Sequence, residues 1–139
     1  MINFHAEDVK FDLPQKRDHK NWLKKIAKSE SFKIGELNYI FLSDEGLYKI
    51  NLEYLNHDTY TDIITFDNSE DEEVIEGDIF ISIERVQENS TEFGVSFETE
   101  LRRVLAHGLL HLCGYKDKTE TEAQVMRKME EESLSLWES

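Results

Sequence analysis

With 139 residues, 39% of them apolar, and one proline, the chain has the length and apolar content of one folded unit over residues 1–139 and not those of a disordered tail. A single cysteine, Cys113, excludes an intrachain disulfide, and neither a basic start before an apolar run nor a membrane-length apolar stretch is present. The formal charge of −14 argues against nonspecific binding of phosphate backbones over the surface as a whole. These features predict a cytoplasmic protein with no membrane association and no disulfide-linked partner.

Asp12 and Pro14 are placed to open the first helix, whose Leu23, Ile26 and Ala27 form an apolar stripe ringed by Lys20, Lys24, Lys25 and Lys28. This segment departs from the average charge. Residues 1–33 hold eight Lys or Arg against five acids, and residues 34–139 hold eight against twenty-five. A solvated amphipathic face explains the cluster, and a local docking point for a polyanion is the other reading.

Gly35 precedes a predicted strand over residues 37–42, and Ser43-Asp44-Glu45 suits the start of a helix running to about Asn56. Strands follow over residues 63–66 and 78–83, joined by the acidic loop Asp67-Asn68-Ser69-Glu70-Asp71-Glu72-Glu73. Ser96 can cap a helix with the stripe Leu101, Val104, Leu105, Gly108 and Leu112. Thr119-Glu120-Thr121-Glu122 fits a capping box, and Ala123, Met126, Met129 and Leu136 carry the last helix. The order βαβαββ, then two or three helices, predicts an α+β fold with a mixed sheet packed with helices.

His107 and His111 stand four residues apart, which puts both imidazoles on one helical face. Gly114 follows the last apolar position, where a left-handed residue would end the helix and turn the chain back, so that Asp117 can return to the same point. Two histidines and a carboxylate leave a fourth position open, the pattern of catalytic zinc, whose bound water has a pKa of about 7. One zinc ion per chain, held by His107, His111 and Asp117, is therefore the expected cofactor. Two histidines on an exposed helix face are the plainer explanation of the pair alone; the glycine and the carboxylate at fitting distances favour the metal. Cys113 falls about 240° round the helix from His107 and reads as core. His5, His19 and His57 lack a ligand partner nearby and read as surface or hydrogen-bonded residues, and Glu100 as a solvated glutamate, with orientation of a ligand as the alternative.

The segment His107-Gly108-Leu109-Leu110-His111-Leu112-Cys113-Gly114-Tyr115-Lys116-Asp117 resembles the HGxLHLxGYxH signature of the YbeY family of bacterial metal-dependent endoribonucleases. Two further blocks agree with it: Asn51 through Tyr54 continuing to Asp58-Thr59-Tyr60-Thr61-Asp62-Ile63-Ile64-Thr65-Phe66, and Gly77-Asp78-Ile79-Phe80-Ile81-Ser82. Asp117 stands where the family usually has a third histidine, and Leu55 where it usually has an arginine. The resemblance implies a cleft at the metal and single-stranded RNA as substrate, cut by a metal-activated water in 16S ribosomal RNA 3′-end maturation and ribosome quality control. The ribosomal small subunit or its proteins would be partners. Arg102 and Arg103, next to the ligand helix, are candidate RNA contacts, and no residue beyond the metal-bound water is assigned to catalysis.

Two other functions compete with this one. A metallopeptidase would need a glutamate directly after the first histidine, where Gly108 stands. A noncatalytic, metal-stabilised ribosome-assembly factor would suit both the negative charge and Leu55.

Overall fold

A computed structural model describes residues 1–57 and 59–137; Asp58, from the second family block, lies outside the described residues, as do positions 138 and 139. The elements run β1 (Ile2–Ala6), α1 (Lys16–Ser29), β2 (Lys33–Leu42), α2 (Asp44–Leu55), β3 (Ile63–Asp67), β4 (Val74–Ser82), α3 (Ile83–Phe93), α4 (Phe97–Leu112) and α5 (Glu120–Ser135). This is the α+β class with a mixed sheet. The strands lie in the order β1-β2-β4-β3, with β1 and β2 parallel, β2 and β4 parallel, and β3 antiparallel to β4.

Alternation along the central strands divides the core in two. Leu37, Tyr39 and Phe41 of β2 and Ile75, Ile79 and Ile81 of β4 face the large cluster built with Trp22, Leu23 and Ile26 of α1 and Val104, Leu105 and Leu109 of α4. Ile40, Leu42 and Ile64 face the other way and pack with Leu47 of α2. Burying one such aliphatic side chain stabilises by about 1.5–3 kcal/mol, so the larger face fixes where α4 lies. Tyr39 Oη adds direction by donating to Leu105 O at 2.9 Å, inside the protein.

Helix starts follow side-chain chemistry. Ser43, Ser82, Ser96 and Thr119 each accept a backbone N–H of the first turn, and Thr119 with Glu122 completes the capping box. The first helix departs from expectation: α1 begins at Lys16 after a left-handed Gln15 with no side-chain cap, and Asp12 pairs with Lys16 Nζ at 2.6 Å instead of capping. The second strand begins earlier than expected, at Lys33, with Gly35 inside it where the register shifts between Ile34 and Leu37. Ile83, expected as strand, is the first residue of α3, because the Ser82 hydroxyl caps a helix there. Among the described residues, no helix is long and apolar enough to cross a membrane.

Candidate metal centre

Gly108, between the two histidines, permits the close approach of α4 to the sheet. A Cβ at that position would sit 2.9 Å from Ile79 Cγ2 and 3.0 Å from Ile63 Cδ1, tighter than packed carbon atoms tolerate. A glutamate there would point into the sheet, so packing as well as identity removes the peptidase arrangement. With Gly108 turned inward, His107 and His111 share the flanking face, their ring centroids 4.6 Å apart.

The end of α4 returns the chain to them. Gly114 N–H donates to His111 O at 3.0 Å and Tyr115 N–H to Leu110 O at 3.1 Å, while Gly114 adopts φ 109°. These are the two bonds of a glycine-terminated helix end, and the positive φ is open to glycine without a Cβ penalty. Asp117, three residues on, places Oδ2 3.3 Å from His107 Nε2 and 3.4 Å from His111 Nε2. One donor atom from each of the three lies within 4.8 Å of the others, so the group could hold a metal ion.

What lies behind the imidazoles decides which nitrogens are free. His107 Nδ1 meets Glu130 Oε2 at 2.5 Å, and His111 Nδ1 meets Tyr115 O at 2.9 Å. Both partners are acceptors, so each Nδ1 carries a proton and donates it, and each Nε2 turns its lone pair toward Asp117. Glu130 is itself buried, only 4% exposed. Burial alone would push its pKa up, but hydrogen bonds from His107 and Arg103 outweigh that and hold it below the usual carboxylate value.

Arg103 joins two helices through this carboxylate. Its Nη1 donates to Glu130 Oε1 at 2.8 Å, and its Nε and Nη2 form a two-pronged pair with Glu100 at 2.9 and 2.5 Å. The expectation of a solvated Glu100 is thus corrected: it is 1% exposed, and its two-pronged pair with Arg103 offsets the cost of burying the charge. Glu100 is linked to His107 through two intermediaries, Arg103 and Glu130.

Arg103 lines the cavity in front of the histidines with its guanidinium committed to these two acids. Arg102 lies elsewhere, 4.4 Å over the Trp137 ring, and burial lowers its pKa. Cys113 packs against the core, where burial, then the charge of Glu30, pushes its thiol up to about 12. His19 is buried with Nδ1 at 2.9 Å from Gln15 O, while His5 is exposed. His57 is exposed as well, yet it stands on the wall of the same cavity as the metal group.

That cavity measures about 700 Å³, and Leu55, His57, Thr61, Asp62 and Lys118 are among its lining residues. Asn51 frames it by donating from Nδ2 to Thr59 O at 2.9 Å, tying the segment after α2 back onto that helix. Glu130 was not foreseen from the sequence. The available signal was an acid in helical phase with Met126 and Ser133, on the face of α5 that becomes buried.

The family described as Endoribonuclease YbeY matches residues 1–138. Proteins called Endoribonuclease YbeY from Christiangramia forsetii and Cytophaga hutchinsonii are similar over almost the whole length. The first is 54% identical over 136 residues, covering 98% of this chain and 94% of that protein. The second is 56% identical over 135 residues, covering 97% and 94%. A Thermotoga maritima protein solved in solution superposes with a TM-score of 0.67 at 30% identity, covering 99% of this chain and 91% of its own. Sequence likeness from end to end, the same fold and the histidine pair on its helix lead to one assignment: this chain belongs to the Endoribonuclease YbeY family.

Proposed function

We propose that this chain is a zinc-dependent, single-strand-specific endoribonuclease, acting in the cytoplasm on 16S ribosomal RNA 3′-end maturation and ribosome quality control. Residues 1–139 act as one domain, and the small ribosomal subunit or its proteins are its partners. The observation that carries this reading is the convergence of His107 Nε2, His111 Nε2 and Asp117 Oδ2 at one point, in a family named for RNA cleavage.

The donor set fits the ion. Two ligand atoms each about 2.1 Å from a tetrahedral zinc lie about 3.4 Å apart, and the carboxylate oxygen stands 3.3 and 3.4 Å from the two nitrogens. Imidazole nitrogens also favour zinc over magnesium, which prefers oxygen. Among the described residues no fourth side chain joins the three, which matches open catalytic sites rather than closed structural ones. When bound, such an ion polarises a phosphoryl oxygen and lowers the pKa of its water to about 7.

The chain's own residues do the remaining work. Glu130 and the Tyr115 carbonyl hold both rings in the tautomer that leaves Nε2 free. Asp117 offsets one unit of the ion's charge. Lys118, beside it on the cavity wall, is better placed than the committed Arg103 to attract a phosphate. In a zinc-loaded preparation, single-stranded RNA should be cut, and His111→Ala should lose both the metal and the cutting. Cleavage that persists unchanged in His111→Ala would exclude this mechanism.

Leu55 supports a second reading. It stands on the cavity wall without a guanidinium to bind phosphate, as suits an assembly factor whose metal secures the turn after α4. A zinc-loaded wild-type protein that binds ribosomal RNA but leaves it intact would favour that role.

A further inference from the structure

The basic segment at the start of the chain forms a ridge in the fold, with Arg17, Lys24 and Lys28 exposed and Lys20 half-buried. Within α1 six residues are Lys or Arg and only Asp18 is acidic. Trp22, Leu23, Ile26 and Ala27 occupy the buried face, so the cations are turned outward. Lys16 pairs with Asp12. Arg17, Lys20, Lys24 and Lys28 make no ion pair among the described residues. Four free cations on one helix are unusual in a chain whose remaining residues 34–139 carry eight basic groups against twenty-five acids.

Beside the ridge lies a groove of about 370 Å³ between α1 and the start of β2, lined by Lys24, Lys28, Lys33, Phe32, Ala27 and Ile34. It combines three ammonium groups with a half-buried aromatic ring and an aliphatic floor. A positive groove with an aromatic face is the combination that binds single-stranded nucleic acid, phosphates to the cations and a base against the ring.

The Phe32 ring favours a single strand, whose unpaired bases are free to stack on it. Lys20, Lys24 and Lys28 recur every four residues, so their stems are about 6 Å apart along the helix axis. That interval lets the three ammonium groups follow successive phosphates of a strand running along the helix. Tyr115 Oη donates to Glu30 Oε1 at 2.6 Å, which ties the end of α1 to the turn that delivers Asp117. Lys116 and Lys118 are exposed on either side of Asp117.

We propose that the α1 ridge of Lys20, Lys24 and Lys28, with Phe32 in the adjoining groove, is the docking surface for the single-stranded RNA flanking the site of cleavage. The ridge deepens the endoribonuclease reading and rests on it for the identity of the polyanion. An anionic membrane is the other polyanion a basic helix meets, but α1 spends its apolar face on the core and has none to insert.

The test is fluorescence anisotropy of a labelled oligouridylate on the full chain, with chelator present so that nothing is cut, across a potassium chloride series. Wild type should bind with an affinity that falls steeply with salt. Lys20→Glu/Lys24→Glu/Lys28→Glu should bind at least tenfold more weakly. Three lost phosphate contacts at about 0.7 each should lower the log–log salt slope by about 2. The alanine triple variant, which keeps helix propensity, should show the same reduction in slope, and Phe32→Ala should lose affinity with the slope unchanged. Unaltered affinity and slope in both triple variants would overturn the proposal, as would no wild-type binding, or tighter binding to phosphatidylglycerol vesicles than to the oligonucleotide. A parallel cleavage assay with zinc distinguishes the two readings. Intact cleavage with a silent ridge sinks the ridge alone, whereas ridge-dependent binding with no cleavage sinks the nuclease reading alone.

Discussion

The proton on His107 Nδ1 has an acceptor in Glu130 Oε2, and that bond leaves Nε2 as the nitrogen free to bind an ion. Removing the charge of Glu130 while keeping its shape should therefore act on the metal. Glu130→Gln is expected to weaken zinc binding about tenfold to a hundredfold, read by competition against a chelator of known affinity; equal affinity in the two proteins would show that the carboxylate does not support the ligand. The ligand candidates were legible because the signals are short in sequence. A helical turn and one glycine bring His107, His111 and Asp117 together within eleven positions. Glu130 comes from the next helix, twenty-three residues beyond His107, and no local spacing announces such a contact. Glu100 is hard to read for a related reason: its two-pronged partner Arg103 is local, but that arginine is held from its other side by Glu130 of α5.

At the scale of elements, α4 carries the site and its distance from the sheet is set at Gly108. Gly108→Ala would force its new methyl against Ile79 and Ile63, and overpacking of this kind typically costs about 1–3 kcal/mol. Urea denaturation should show that loss as a lower midpoint with an unchanged slope; a variant as stable as wild type would mean the helix can lift from the sheet freely. The same displacement would move His107 and His111 away from Asp117, so weaker zinc binding should accompany it. Caps at Ser43, Ser96 and Thr119 make three helix starts legible in the sequence. α3 was hidden because Ile79, Phe80, Ile81 and Ile83 read as one apolar run, and whether Ser82 continues a strand or caps a helix is decided by the packing of Val86 beneath it. The start of α1 was misplaced because a left-handed Gln15 follows Pro14, and a glutamine gives no sequence cue for that conformation.

At the scale of the whole molecule, the order of elements was enough for the fold class, since alternating strands and helices followed by helices alone demand a sheet with a helical layer. Strand order was beyond it. β4 inserts between β2 and β3 and pairs with one parallel and the other antiparallel, a choice made by which faces must be buried rather than by any single segment. Net charge was similarly ambiguous until the fold turned the cations of α1 outward together and brought the end of that helix to the turn before Asp117. The arrangement matters functionally only if the two imidazoles and the carboxylate bind one ion. The most direct measurement is the metal content of purified protein by inductively coupled plasma mass spectrometry, for wild type and for Asp117→Ala. One zinc per chain in the wild type and a large loss in the variant is the predicted result; equal zinc in both proteins, or none in wild type after incubation with zinc and removal of excess, would contradict the account.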